Sequence, residues 1–425
     1  MRRDILHCDM NNFYASVECR LDPRLRPFPV AVCGSQAERH GIVLARNYAA
    51  KACGVAAGDV IWQAKQKCPG LVVVPPHYEE YLKFSRLARR IYEDYTDRVE
   101  PYGMDECWLD ISGTEELFGT PEQVAHEIRE RVKDELGLTI SVGVSFNKVF
   151  AKLDSDMKKP DAVTLIPQDR FREVVWPLPA EDMIGVGRAS SRLLRRLNVR
   201  TLGDLAAADP ELLRRLMGKY GVMLWNWAGG RDDAPVLRTD FCSPVKSVGH
   251  GTTTVKDLET PEQVWLVMLE LCQEVAHKLR LHGKCAAGVA IYIRDNALVT
   301  RQWQALLELP CQSALPLARA AHRLFTARYG WERPIRSVTV QAIRLLPGDE
   351  PRQISLFEQP ELQERQRRLD QCVERIRERF GKEAVRNASL LQPLFLPPEH
   401  APVIMPTGTA PAFSAGKTRG SPPRL

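Results

Sequence analysis

Two neighbouring acids, Asp105 and Glu106, sit between two runs of strand-forming residues, Val99 to Tyr102 and Cys107 to Ile111. The runs read as two strands joined by a tight turn around Met104-Asp105-Glu106, which exposes both carboxylates at a sheet edge. A third acid, Asp9, ends another strand-like run, residues 4–10. Three carboxylates brought together make a hard-oxygen site of the kind Mg²⁺ prefers, with coordination positions left for phosphate and water. Two such ions would activate a sugar hydroxyl and stabilise departing pyrophosphate. The plainer alternative is a solvated acidic turn and an unrelated strand-end aspartate.

The surrounding pattern is mixed α/β through about residue 165. Short strands are expected at residues 29–33, 42–45, 71–74 and 139–144. Helices are expected at 14–20, from Asn47 to Ala52, at 78–95 and at 122–136; in the third, Tyr81, Phe84, Leu87, Ile91 and Tyr95 recur with helical spacing. Residues 166–235 change character, with short arginine-bearing helices broken by glycines. A proline-bearing linker leads to a second mixed block, 245–345, with strands expected at 247–254, 287–294 and 337–343 and helices at 261–281 and 313–328. That block holds thirteen Lys and Arg against eight Asp and Glu, so it carries most of the net charge of +6. Residues 361–386 read as a charged helix, and the stretch from Pro397, rich in Pro, Gly, Ser and Thr, as a disordered tail.

The residues around the acids carry a resemblance. Asp9-Met-Asn-Asn-Phe-Tyr-Ala-Ser-Val-Glu18 and Tyr102-Gly-Met-Asp-Glu-Cys-Trp-Leu-Asp110 resemble the signatures of the Y-family DNA polymerases, the translesion group. The resemblance continues in order through Asn47-Tyr48-Ala-Ala-Lys51, Gly143 to Lys152, Asp156 to Asp161, Gly185-Val-Gly187 and Lys246-Ser-Val-Gly249. It implies an α+β multidomain right hand. The palm is expected at 1–17 and 76–165, small fingers at 18–75, and a helical thumb with a helix-hairpin-helix at 166–235. A linker at 236–244, a mixed α/β little finger at 245–345, and a clamp-binding motif with the charged helix at 346–396 complete it. The implied activity is low-fidelity, distributive, template-directed synthesis without a proofreading exonuclease.

Carried over residue by residue, Asp9, Asp105 and Glu106 resemble the catalytic metal acids, with the Met10 carbonyl completing the shell of two Mg²⁺ ions. Tyr14 occupies the steric-gate position, where a ring under the incoming sugar excludes a 2′-hydroxyl. Backbone amides at Asn12 and Phe13 open a helix and could receive the triphosphate. Leu44 would pack on the nascent base pair, while Tyr48 and Lys159 match phosphate-binding positions. Lys51 stands where an arginine is usual and cannot make its bidentate fork, so Arg46 is a compensating cation. Asn11 replaces an acid that is not one of the three metal ligands, and Gly103-Met104 replaces Ser-Ile. Gly185, Gly187 and Arg188 open the expected hairpin. Lys246, Arg294, Arg301, Arg333, Arg336 and Arg344 are candidates for contacts to DNA phosphates, which carry no sequence information and weaken with salt. Gln353-Ile-Ser-Leu-Phe357 resembles the bacterial sliding-clamp pentapeptide, with Gln353, Leu356 and Phe357 as its contacts.

The expected partners are therefore primer-template DNA, dNTPs and a sliding clamp, on a monomer. No apolar run reaches the ~18 residues of a membrane span, and residues 1–20 lack an apolar signal core. The eleven cysteines are odd in number, scattered and without Cys-x-x-Cys spacing, which argues against a zinc ribbon or disulfide framework and for a reducing cytoplasm. Two other readings compete: a non-catalytic DNA- or clamp-binding scaffold with a polymerase-like body, and a palm-based nucleotide cyclase. Retention of all three acids weighs against the first; the hairpin, the basic block and the clamp-like peptide weigh against the second.

Overall fold

The first expected strand forms as β1 (Ile5–Met10), buried along its whole length. It is the middle strand of a five-stranded sheet, so its residues alternate between two covered faces rather than between core and water. The computed structural model describes residues 3–348, 360–392 and 395–397. They divide into two units: one runs to Gly34 and from Ile42 to Ser243, and the other holds Ser35–Gly41 and the chain from Pro244.

In the first unit β1 is followed by α1 (Phe13–Leu21), β2 (Val30–Cys33), β3 (Val43–Arg46), α2 (Tyr48–Ala52), α3 (Ile61–Lys67) and β4 (Val72–Val74). The three short strands make their own sheet, ordered β3-β2-β4, with a small core around Ala31, Val43, Ala50, Val55 and Ala64. Asn47 starts α2: its side-chain oxygen accepts from the Ala50 and Val30 amides, capping the helix and tying it to β2.

The chain then runs through α4 (Tyr78–Glu93), β5 (Val99–Tyr102), β6 (Glu106–Asp110), α5 (Glu115–Phe118), α6 (Pro121–Arg131), β7 (Ile140–Ser145), α7 (Lys148–Met157) and β8 (Val163–Leu165). The main sheet is ordered β5-β6-β1-β7-β8. Leu6, Cys8 and Met10 share a core with Tyr81, Ala88 and Ile91 of α4 and with Val124 and Ile128 of α6. The intervening residues, among them His7 and Asp9, lie on the α7 side. Several details depart from the sequence expectation, which held no helix at α3, α5 or α7. The helix expected at 122–136 ends at Arg131 and closes with a wider turn, Val132–Leu136, stopped by Gly137 at φ 67°. Strand β8 was not expected; three residues are too few to show a period.

Helix α7 lies very close to the sheet. A Cβ at Gly143 of β7 would stand 2.0 Å from the Ala151 carbonyl oxygen. Asp154 of α7 is fully buried, and its Oδ2 accepts the Val144 amide at 3.1 Å, while Oδ1 has no partner. Burial pushes this carboxyl up to about 8. A folded-state value above the unfolded one means that the native state holds the proton longer, so this group's effect on stability worsens as pH rises from about 4 to 8. Asp154→Asn keeps the acceptor and removes the charge. Its Tm should exceed that of the native chain by several degrees at pH 8.5 and by clearly less at pH 5. A gain independent of pH would remove the assignment.

The rest of this unit is helical, as expected: α8 (Phe171–Val175), α9 (Arg188–Arg196), α10 (Leu202–Ala207), α11 (Pro210–Met217) and α12 (Lys219–Ala228) surround Leu194, Leu202, Leu205, Leu213 and Leu224. Much of the expected linker is bonded into this unit. Val236 is buried, the Leu237 amide donates to Glu100, and the Thr239 amide donates to the Asp97 carbonyl.

The second unit contains β9 (Val248–Leu258), α13 (Pro261–Leu281), β10 (Lys284–Asp295), β11 (Thr300–Cys311), α14 (Ala314–Arg328) and β12 (Ile335–Pro347), with an antiparallel sheet ordered β11-β10-β12-β9. Both helices cover the face bearing Ile291, Ile293, Val338 and Val340. Strand β11 was not expected. It is an edge strand whose central stretch, Gln302-Trp-Gln-Ala-Leu-Leu-Glu-Leu309, holds no β-branched residue and seven residues of helix-favouring type. The charged helix is α15 (Pro360–Phe380), shorter than the expected 361–386 because Gly381 ends it at φ 91°. It docks through Glu374, paired with His277 and Arg280, and through Arg377, which donates to Gln273. Gln353–Phe357 and the tail after Pro397 lie outside the described residues. Among the described residues no helix is long and apolar enough to cross a membrane.

Candidate active site

Register brings the acids together. Asp9 pairs with Glu106 across β1 and β6, and the Met10 amide donates to the Asp105 carbonyl at 3.0 Å. The hairpin turn is built by Gly103 at φ 82°, a left-handed conformation that costs glycine little. Arg89 of α4 fixes the tip by donating to the Gly103 carbonyl.

Two lysines and a histidine meet the acids from the α7 side. Lys159 Nζ lies 2.7 Å from Asp9 Oδ2 and 2.7 Å from Asp156 Oδ1. Lys152 pairs with Glu106 Oε2. His7 Nε2 lies 3.2 Å from Glu106 Oε2, and its Nδ1 lies 2.8 Å from Ser155 Oγ. Burial pushes His7 down to about 4, so at neutral pH a neutral ring hydrogen-bonds Glu106.

The three acids differ in charge state. Burial raises Asp9 to about 7 despite Lys159, with Glu106 and Asp105 adding repulsion. Burial and the neighbouring Glu106 raise Asp105 to about 6. For Glu106 burial acts upward, but the His7 hydrogen bond and Lys152 outweigh it and hold the carboxyl at about 2. Ligand atoms of His7, Asp9 and Glu106 all fall within 4.8 Å of one another. These two carboxylates, each facing a lysine, and the imidazole fit a divalent cation, and Asp105 is not one of the three residues.

His7 was missed from the sequence. The signal was available, because a residue two before Asp9 on a strand shares its face. Lys152 ends one of the segments that carry the resemblance and Ser155 lies just outside them, and neither offered an independent sign of its placement.

Of the nucleotide candidates, Phe13 is buried beside Tyr81, and α1 begins at Phe13 without a side-chain cap, leaving its first amides unclaimed by any cap. Tyr14 is half-buried, stacked on Tyr81. The Tyr48 phenol is raised by burial and lies near enough to Lys159 and Asp9 to feel both. Leu44 and Arg46 are partly buried, and the Arg46 Nε is buried without a partner. Lys51 is exposed, its ammonium 5.8 Å from the Tyr48 ring centre.

Gly185, at φ 89°, and Gly187 form the turn before α9, with Arg188 exposed at its first position. In the second unit the uncovered sheet face carries a shallow groove lined by Tyr292, Arg294, Ser337, Thr339 and Gln341. Of the six basic candidates only Arg294 lines it. Arg301 is paired with Glu332, and Arg336 donates to the Arg39 carbonyl. Lys246, Arg333 and Arg344 are exposed elsewhere.

Residues 8–156 match the model of the impB/mucB/samB family, and residues 245–356 match that family's C-terminal domain. The chain is 49% identical over 392 residues to a DNA polymerase IV of Acetivibrio thermocellus, covering 92% of this chain and 98% of that protein. It is 37% identical to one from Pelotomaculum thermopropionicum, covering 92% and 96%. Among solved structures, the Y-family DNA polymerase chimera Dbh-Dpo4(243-245)-Dbh superposes with a TM-score of 0.72 at 22% identity, covering 81% of this chain and 99% of that one, a likeness of fold.

Proposed function

The chain belongs to the impB/mucB/samB family, the Y-family translesion polymerases, and on that premise we propose that it is a template-directed DNA polymerase of damage tolerance. It adds dNTPs to a primer 3′-hydroxyl with low fidelity, distributively and without proofreading. The observation that carries this reading is the cluster of His7, Asp9 and Glu106 beside Lys152 and Lys159, with Asp105 next to Glu106 at the hairpin. In this reading the five-stranded sheet with α4, α6 and α7 is the palm, and the three-stranded sheet with α2 and α3 the fingers. Helices α8–α12 are the thumb, and β9–β12 with α13 and α14 the little finger.

Asp9, Asp105, Glu106 and the Met10 carbonyl would hold two Mg²⁺ ions. When bound, these supply activation of the 3′-hydroxyl and charge neutralisation at the pyrophosphate. Glu106 is already ionised, held by His7 and Lys152. With cations bound, Asp9 and Asp105 would be held ionised as well. Lys159 is near both Asp9 and the Tyr48 phenol, and its short move onto the triphosphate, joined by Tyr48 and Arg46, binds the leaving group. Tyr14 excludes the 2′-hydroxyl. The thumb turn and Arg294 hold duplex phosphates whatever the sequence.

Primer extension with Mg²⁺ and single dNTPs tests this. Incorporation should follow the template and require a primer. Pyrophosphate release without a primer would favour a cyclase, and DNA binding without extension a scaffold. Gln353, Leu356 and Phe357 are proposed to bind a sliding clamp. Deleting 353–357 should leave unassisted synthesis intact and abolish stimulation by a bacterial clamp; undiminished stimulation would refute that role.

A further inference from the structure

The steric-gate reading of Tyr14 leaves open what holds the ring in place, and a ring under a sugar discriminates only as well as it is fixed. Tyr14 is gripped from three sides. One face lies on Tyr81, with centroids 4.2 Å apart and planes 9° from parallel. Tyr78 meets it edge-on at 6.0 Å. Tyr81 is itself anchored, because its hydroxyl donates to buried Glu18, which also meets His77 Nδ1 at 3.0 Å. The aromatic contacts restrain the plane of Tyr14 but leave its far end free to slide. That end is fixed differently: the Tyr14 hydroxyl donates to Met104 Sδ at 3.2 Å.

Met104 is well placed for this. It is 6% exposed, it immediately precedes Asp105, and it follows the Gly103 turn that Arg89 holds from α4. A thioether sulfur is a weak acceptor on an adaptable stem, so it can reach a phenol that a branched hydrocarbon could only abut. The same position in the family pattern is an isoleucine, which offers no acceptor.

We propose that Met104 is a specificity-determining residue, whose sulfur pins the Tyr14 hydroxyl and thereby sets how strictly the enzyme excludes ribonucleotides. The inference rests on Tyr14 being the gate. With the hydroxyl released, the ring pivots away from the sugar and the space at the 2′ position widens. The check on the sugar is thus tied to the hairpin that carries the metal acids.

The readout is the ratio of kcat/KM for a ribonucleotide to that for the matching deoxynucleotide, in primer extension by the full chain. A general loss of stability or activity does not move this ratio. Met104→Leu, similar in size but lacking the acceptor, should raise it roughly three- to tenfold. Met104→Ile serves as a second variant should Leu pack poorly. Tyr14→Phe, which removes the donor, should give a similar rise. The double variant should rise no further than either single one, because both remove one contact. An unchanged ratio in both Met104 variants, or effects that multiply in the double variant, would overturn the proposal. Tyr14→Ala separates the two layers. If it admits ribonucleotides while the Met104 variants do not, only the role of Met104 falls. If Tyr14→Ala leaves sugar selection intact, the gate reading itself falls.

Discussion

Primer extension by the Asp105→Ala/Glu106→Ala chain is expected to fall by at least about 10³-fold, roughly 4 kcal/mol of lost transition-state stabilisation. Two of the three carboxylates that would hold the charge-neutralising cations are then gone, and Asp9 alone remains, paired with Lys159. The single variants carry opposite stability signatures. The folded-state value of Asp105 lies above its usual range, so its ionised form burdens the fold at neutral pH, and Asp105→Ala should raise Tm. Glu106 lies below its usual range, so it stabilises the fold above the unfolded pKa, and that contribution is lost as pH falls toward about 2. Glu106→Ala strands Lys152 and the His7 ring, so it should lower Tm. A loss of activity shared by two variants whose melting temperatures move in opposite directions cannot come from unfolding. Binding of primer-template DNA should persist in both, since the residues proposed to contact phosphates lie on other elements. Extension within tenfold of the native chain in the double variant would show that these acids are not the reacting centre.

What the sequence disclosed about this site, and what it hid, follows from where each residue gets its position. Asp105 and Glu106 were legible because adjacent acids between two strand-like runs have one local solution, a hairpin. Asp9 was legible as a charge at the end of a buried run. His7 was hidden: it lies inside that run, and only the placement of α7 on one face shows that its ring meets Ser155 and Glu106. The Lys159 pairing with Asp9 spans 150 residues, and no local pattern encodes it. The Tyr14–Met104 contact is likewise a product of tertiary placement, joining a helix start to a hairpin tip. In the second unit, strands with β-branched alternation were found, while edge strand β11, rich in Gln and Leu, was not. Its pairing with β10 overrides the preferences of its residues. The helix after residue 360 was recognised from its charge pattern, but its ionic docking on α13 was not, since Glu374 and its partners are far apart in sequence.

Gly143 is where the fold and the site depend on the same atom, or on its absence. It sits opposite His7 in the β1–β7 register, under α7. An added Cβ would lie 2.0 Å from the Ala151 carbonyl oxygen, 2.4 Å from the Ser155 amide nitrogen and 2.9 Å from the Asp154 Cβ. Two of these are backbone atoms of a helix and cannot swing aside, so the helix as a whole must lift. Overpacking ordinarily costs about 1–3 kcal/mol, and a clash with rigid backbone belongs at or above the top of that range. Because a chain of this class has only ~5–15 kcal/mol of net stability, Gly143→Ala should lower Tm by about 6–12 °C or prevent soluble expression. Gly70→Ala is the matched control: nothing lies within 4 Å of its added Cβ and its backbone is not left-handed, so it should be nearly silent. The same lift would draw Ser155 from His7 and Lys152 from Glu106, so any folded Gly143→Ala chain should also extend primers more slowly at temperatures well below its melting point. A Gly143→Ala chain as stable as the Gly70→Ala control would mean that α7 does not rest on the sheet this closely. The contacts of Lys152, Ser155 and His7 at the acids would then need a different origin.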